Sequence, residues 1–369
     1  MAGGGDDKME LLGKSMEELR AFCVGLGEPA FRGAQIYHAL YSEKRFDVAQ
    51  ITNLPAALRA RLSKEARIAL PELQQRFRSA DGSVRYLFAL PTGESKETAK
   101  PASVEAVYMP GEGRQTICIS TQAGCAVDCH FCLTAQLGLI RNLTAGEILA
   151  QVLLPLGEHK LELAPQTNIV LMGQGEPLLN FEPVMAALGI ILDPGGIGIS
   201  PKHVTLSTSG IVPGIERLAE EKARPKLAVS LNASNDEQRD SLMPINKKYP
   251  LAVLMAACKK YPLRTWEHLT FEYVLLGGAN DTAEDARRVV RLLSPLKSVK
   301  VNLIPWNPGE LPYRESPPER IEEFRRILVE RGVPAFVRYS RGRDVMAACG
   351  QLALLNISNA KVEAGQAQL

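Results

Sequence analysis

Three of the seven cysteines fall within eight residues, as Cys125, Cys129 and Cys132 in the spacing C-x3-C-x2-C. An odd number of cysteines with such a cluster does not read as a disulfide framework; it reads as soft metal ligands plus reactive thiols. Structural zinc requires four closed ligands, usually two C-x2-C pairs. No second pair exists here, and His130 could supply a fourth ligand only by straining a very short loop. A 4Fe-4S cluster takes three thiolates at three corners, which leaves one iron without a protein ligand and able to hold a substrate. The competing reading from another class is a zinc-stabilised RNA-binding module without catalysis.

Such a loop needs a scaffold, and the flanking pattern supplies one. Strand-like runs at Thr116–Ser120, Asn168–Met172, His203–Ser207, Lys226–Leu231, Leu269–Leu275 and Val299–Ile304 alternate with amphipathic stretches such as Ile148, Leu149, Val152 and Leu153. Six βα units predict an α/β fold, a partial parallel barrel or open sheet with its chemistry at the carboxyl ends of the strands. The segment Asn307–Pro318 reads as a loop. Upstream, Leu73–Leu90 alternates about Asp81-Gly82 and predicts a hairpin. The first 70 residues read as short helices, with a Ser15/Glu18 capping box and further helices at Ala34–Tyr41 and Pro55–Ala66. Cys23 and Cys258, on apolar helical faces, are expected in the core. The expected organisation is thus 1–70 helical accessory domain, 71–110 β-hairpin linker, 111–350 barrel and 351–369 tail.

A formal charge of +2 on 369 residues excludes a chain that is basic throughout, so any nucleic-acid contact must come from local patches. Arg59 and Arg61, Lys247 and Lys248, and Arg338, Arg341 and Arg343 are candidate phosphate contacts, whereas Arg287, Arg288 and Arg291 read as a solvated face. Charge or proline interrupts every apolar run short of a membrane helix, and the start lacks the features of a secretory signal, so no membrane association and a cytoplasmic location are expected.

The motif Cys125-x3-Cys129-x2-Cys132, after the first strand of a six-unit barrel, resembles the radical S-adenosylmethionine (SAM) superfamily. Within it, nine runs in order, among them Glu105-Ala-Val-Tyr, Cys118-Ile-Ser-Thr-Gln-Ala-Gly-Cys125, Met172-Gly-Gln-Gly-Glu-Pro-Leu-Leu-Asn180 and Ala347-Ala-Cys-Gly-Gln351, resemble the RlmN/Cfr family of RNA adenine methyltransferases nearly end to end. The resemblance implies a partial (βα)6 barrel with a small N-terminal helical domain, one 4Fe-4S cluster on the three cysteines, and two SAM molecules per turnover. It implies methylation at carbon 2 of adenine in 23S rRNA and of the adenosine 3′ to the tRNA anticodon. The Cfr-like alternative is carbon 8 of the same rRNA adenosine.

That carbon lies between two ring nitrogens and is too electron-poor to attack a sulfonium methyl, which is why radical chemistry is needed. By resemblance, Cys349 takes the first methyl group, and Glu105 and Cys118 serve as base and resolving thiol, leaving a Cys118–Cys349 disulfide to be reduced each cycle. Which of the two removes the ring proton is left open. The family's SAM contacts fall on Glu176, Pro177, Ser207, Ser230, Leu231, Asn232 and Asn307; a His usually stands at 232, and Asn cannot match its titration. An electron donor such as flavodoxin with its reductase, and a monomeric state, complete the expectation.

Overall fold

The computed structural model describes residues 8–90 and 102–353. The expected tail from residue 354, and part of the expected linker, lie outside the described residues.

The chain opens with β1 (Met9–Glu10) and α1 (Met16–Gly25), which begins on the anticipated capping box: the Ser15 hydroxyl accepts from the Glu18 N–H, and the Glu18 carboxylate accepts from the Ser15 N–H. Then come α2 (Phe31–Tyr41), α3 (Ala56–Glu65) and β2 (Ala66–Arg67), the last pairing in parallel with β1. Leu19, Cys23, Ile36, Leu40 and Leu58 close a small core. This helical unit is fastened to the rest of the chain. A Cβ at Gly13 would lie 2.6 Å from the Gly146 nitrogen, so two backbones touch there, and Tyr37 donates to Asp193 at 2.8 Å.

The hairpin forms as β3 (Glu72–Arg78) and β4 (Val84–Ala89), followed by β5 (Ser103–Gly111) and β6 (Arg114–Cys118). A small ribbon of β7 (Gln122–Gly124) and β8 (Leu139–Asn142) flanks α4 (Leu133–Gln136). The α/β alternation then runs α5 (Ala145–Glu158), β9 (Gln166–Leu171), α6 (Phe181–Leu192), β10 (Val204–Thr208), α7 (Val212–Glu220) and β11 (Lys226–Ser230). It ends with α8 (Asp236–Leu242), α9 (Leu251–Lys260), β12 (Leu269–Leu275), α10 (Ala283–Leu293), β13 (Val299–Pro305), α11 (Pro318–Glu330) and β14 (Ala335–Val337).

All six anticipated strands form, within two residues of their expected starts. Among the described residues one sheet runs β14-β13-β12-β11-β10-β9-β6-β5-β4-β3, parallel from β14 to β6 and antiparallel beyond. Two differences from the sequence reading matter. The hairpin is not a separate linker but continues the barrel sheet through β5. A seventh parallel strand, β14, is only three residues long, too short to leave a period. The two ends of the sheet do not pair, so the barrel is partial and has an open side.

Inside and outside differ sharply. The outward residues of β12, Phe271 and Tyr273, are fully buried under the helices, with the Tyr273 ring 5.0 Å from Phe324 of α11. The inward residues Thr270, Glu272 and Val274 alternate with them and line a cavity, as do Lys300, Asn302 and Ile304 of β13. A barrel of this size is ordinarily filled by aliphatic side chains, so a polar interior marks a ligand site. Among the described residues no helix is long and apolar enough to cross a membrane.

Candidate active site

The cysteine loop sits beyond the carboxyl end of β6. Cys125 follows β7, its N–H donating to the Gly138 carbonyl at 3.0 Å, and Cys132 lies at the start of α4 with its N–H on the Cys129 carbonyl at 3.1 Å. Asp128 turns the loop in the left-handed region, φ 59°. All three cysteines line one cavity of about 180 Å³. Burial and the neighbouring sulfurs push the Cys125 thiol up to about 12 and Cys129 well above the ordinary thiol range, so three thiolates here call for a compensating cationic group. His130 points elsewhere, its Nδ1 2.7 Å from the Ser241 carbonyl oxygen. No three His, Cys, Asp or Glu side chains among the described residues converge on a point that would hold a single ion. Three soft sulfurs around one cavity, with His130 engaged elsewhere, fit the three protein-held corners of an iron–sulfur cluster.

The opposite wall comes from the turns after β9, β10 and β11. The Gly-Gln-Gly-Glu-Pro segment lies against β7: a Cβ at Gly175, φ 96°, would fall 2.5 Å from the Gln122 Cβ, so both conformation and space demand glycine. Glu176, buried, accepts from the Leu178 N–H (3.0 Å), the Ser209 N–H (2.7 Å) and the Ser209 hydroxyl (2.8 Å); burial still raises its carboxyl above the usual range. Arg239 of α8, fully buried, ties these turns together by donating to the Leu231, Ser209 and Ser230 carbonyls and to Asn246.

Of the expected SAM contacts, Glu176, Ser207, Ser230, Asn232 and Asn307 line this cavity. Pro177 and Leu231 are buried but are not among its lining residues. Asn232, where the family pattern has His, stands at φ 53°, a conformation that Asn tolerates. Its Oδ1 accepts from the Val274 N–H at 2.8 Å and its Nδ2 reaches the Met243 sulfur, so its amide is spent on bracing β12.

Cys349 lies on a loop laid across the mouth. Asn307 donates to its carbonyl at 3.1 Å, the Leu133 N–H to the Gly350 carbonyl at 2.8 Å, and Gln351 to the Pro308 carbonyl at 2.7 Å. The residue as a whole is exposed, but its thiol is enclosed by the cavity walls, which pushes it up to about 11. Cys349 lines both the first cavity and a second of about 1010 Å³ inside the barrel; Cys118 lines the second only. Both are free thiols, near enough for Cys349 to raise Cys118 further beyond what burial does. Glu105 lies on β5, on the same face as Val107, the partner of Cys118 across the ladder. Its carboxylate is fully buried and ion-paired with Arg85, and it is not a lining residue of either cavity.

Comparison with known proteins accords with this geometry. Residues 119–293 match the Radical SAM superfamily and residues 9–68 the ribosomal RNA large subunit methyltransferase N-terminal domain. A probable dual-specificity RNA methyltransferase RlmN of Koribacter versatilis is 48% identical over 345 residues, covering 89% of this chain and 96% of that protein. The chain belongs to the RlmN family. The RlmN of Anaeromyxobacter dehalogenans is 46% identical, covering 94% and 92% of the two chains. The crystal structure of a radical SAM methyltransferase from Sphaerobacter thermophilus superposes with a TM-score of 0.86 at 41% identity, covering 93% of this chain and 99% of that one. RlmN membership makes the chain a SAM-dependent methyltransferase and implies a 4Fe-4S cluster with SAM as cofactors.

Sequence reasoning missed three residues that the structure brings to this site. Arg239 and Arg85 carry no motif or periodicity that would single them out, and Glu272 lay unremarked within the strand run Leu269–Leu275; a single carboxylate within Leu-Thr-Phe-Glu-Tyr-Val-Leu was the available signal. Conversely, Arg59 donates to the Ala49 carbonyl and Arg61 pairs with Glu65, so these candidate phosphate contacts are engaged within their own unit. Arg288, expected to be simply solvated, bonds Ser234 and Asp285.

Proposed function

We propose that this chain methylates carbon 2 of adenine in large-subunit ribosomal RNA and in tRNA, through a methyl group carried on Cys349. The observation that carries this reading is the position of Cys349 at the junction of two cavities. One is walled by the three cysteines and Glu176; the other, of about 1010 Å³, is walled by Cys118.

A thiol at that junction can be alkylated from one side and present its methyl group to the other. Cys125, Cys129 and Cys132 would hold the cluster, and Glu176, Ser207, Ser230 and Asn307 would hold SAM. When bound, the cluster and SAM supply a one-electron cleavage whose carbon radical can take hydrogen from a methyl group. In the first half, the Cys349 sulfur, its proton lost, attacks the methyl carbon of one SAM and S-adenosylhomocysteine leaves, so that the methyl group ends on Cys349. In the second, the S-methyl group, stripped of one hydrogen, bonds to the adenine carbon, so that protein and RNA are joined through the Cys349 sulfur. Loss of the ring proton to Glu105 or Cys118, together with one electron that the cluster would take back when bound, restores the aromatic ring. Attack of the Cys118 sulfur on Cys349 then breaks the carbon–sulfur bond, the departing methylene carbon takes a proton to become the methyl group, and the Cys118–Cys349 disulfide requires two electrons from a thiol or flavodoxin-type reductant before the next cycle. The target base must leave its stack to reach this depth. RNA as substrate places the enzyme in the cytoplasm.

The test is anaerobic turnover with SAM, a reductant and unmodified ribosomal RNA, read by nucleoside mass spectrometry. The expected product is 2-methyladenosine; 8-methyladenosine in its place would assign the Cfr-type reaction, and no methylated adenosine would overturn the reading.

A further inference from the structure

The second cavity has a charge gradient along the strands. At the end where the strands begin it is lined by Arg114, Lys202, Lys226 and Lys300, and Arg338 and Arg341, which follow β14, line the same space. Among the described residues only two carboxylates, Glu112 and Glu272, line the same space. Lys226 opens β11 and Lys300 lies near the start of β13, both half-buried and inward-facing; among the described residues neither ammonium has an ion pair or hydrogen bond. Burial and mutual repulsion depress both: Lys226 faces Lys300, and Lys300 also faces Arg338, with Glu267 and Glu272 as the opposing charges. A fold that places unpaired cations two strands apart on one cavity wall inside a barrel destabilises its empty state, and an anionic occupant removes that cost.

The depth of the cavity suits one occupant. Four residues separate Lys226 from Ser230, about 13 Å along the strand. Over that distance the lining passes from cations, through the Glu272 carboxylate with one oxygen on the Asn302 amide at 2.9 Å, to Cys118 and Cys349. A carboxylate accepts from an exocyclic amine and repels a phosphate, so base and phosphate have one orientation each.

Resting on the RNA-methylating reading above, we propose that the target nucleotide enters the barrel through the end where its strands begin, with Lys226 and Lys300 holding the flanking phosphates and Glu272 facing the base. The alternative entry, across the cysteine loop, would leave these lysines without a role.

The experiment compares wild type with Lys226→Gln/Lys300→Gln, using a transcript of unmodified large-subunit ribosomal RNA and measuring kcat, KM and the salt dependence of binding. Loss of two phosphate contacts should raise KM about tenfold or more and flatten the slope of log affinity against log salt by about 1.4 to 1.8. Lys226→Arg should keep the wild-type slope. Arg325→Gln, on the outer helix α11, is the comparator and should leave both quantities unchanged. Relief of repulsion predicts that the unfolding midpoint of the double variant does not fall, which separates lost binding from lost fold. A double variant with wild-type KM and salt slope overturns the entry route while leaving RNA methylation standing. A wild type that methylates no RNA overturns both.

Discussion

The two thiols proposed to share the reaction sit on opposite kinds of support. Cys118 ends β6, locked between β5 and β9 by ladder hydrogen bonds and packed against Val107, Ala347 and Leu352. Cys349 has no ladder. Its loop is held by side-chain tethers: Asn307 and Gln351 on one side and, on the other, Asp81 and Asp344 at the hairpin turn, where Asp344 accepts from the Ser79 hydroxyl at 2.6 Å and Asp81 from the Gly342 N–H at 2.9 Å. A strand fixes a group at one place, whereas a tethered loop can present the same group to two cavities. The difference fits the carrier role proposed for Cys349 and the fixed, resolving role proposed for Cys118.

The sharpest way to break that contrast is to delete each thiol. Cys349→Ala should reduce RNA methylation below detection while iron content stays at about four per chain. Cys118→Ala should instead accumulate protein covalently joined to RNA through Cys349, seen as a shifted band that ribonuclease removes. Absence of a cross-link would deny Cys118 its role.

Next in size is the frame that both thiols depend on. Arg239→Met removes donors from three buried carbonyls and should lower stability by about 3 to 5 kcal/mol in chemical unfolding. A loss below about 1 kcal/mol would show that those turns hold themselves.

The tethers come after the frame. Asn307→Ala should speed hydrogen exchange over residues 347–352 about tenfold, the equivalent of one lost buried hydrogen bond, with exchange in β6 unchanged. Equal acceleration in β6 would erase the distinction between loop and strand.

The smallest effect expected is on acidification. Hydrogen bonds from Ser83, Gly342 and Ser79 outweigh desolvation and hold the Asp81 carboxyl at about 2, below its unfolded value of about 3.9. A depressed carboxyl stabilises above its unfolded value and ceases to do so as pH falls through the folded one. The tether should therefore be intact at pH 5 to 8 and weaken between about pH 4 and 2, raising exchange near Gly342 there. Asp81→Asn should remove the pH step.

Much of this was legible because it is local. The capping box at Ser15, the six strands and the cysteine spacing are patterns of about four to eight residues, read by steric and hydrogen-bonding preferences that act within that range. Glu105 could be placed on the family motif, but its pairing with Arg85 depends on two antiparallel strands lying in register. Asn232 read as a weakened contact. Its left-handed backbone and its bond to Val274 explain instead why an amide suits the position.

The amino-acid sequence by itself determined the chemistry available here: three clustered thiols, two further reactive ones, and an alternation that must fold into a parallel sheet. Only the tertiary structure decided which groups share a space. Lys226 and Lys300 are ordinary strand residues until curvature of the sheet turns both inward, and Cys349 comes to line two cavities only because its loop crosses both. Periodicity reports which face of an element a residue occupies; what that face meets is fixed by contacts between elements far apart in the chain.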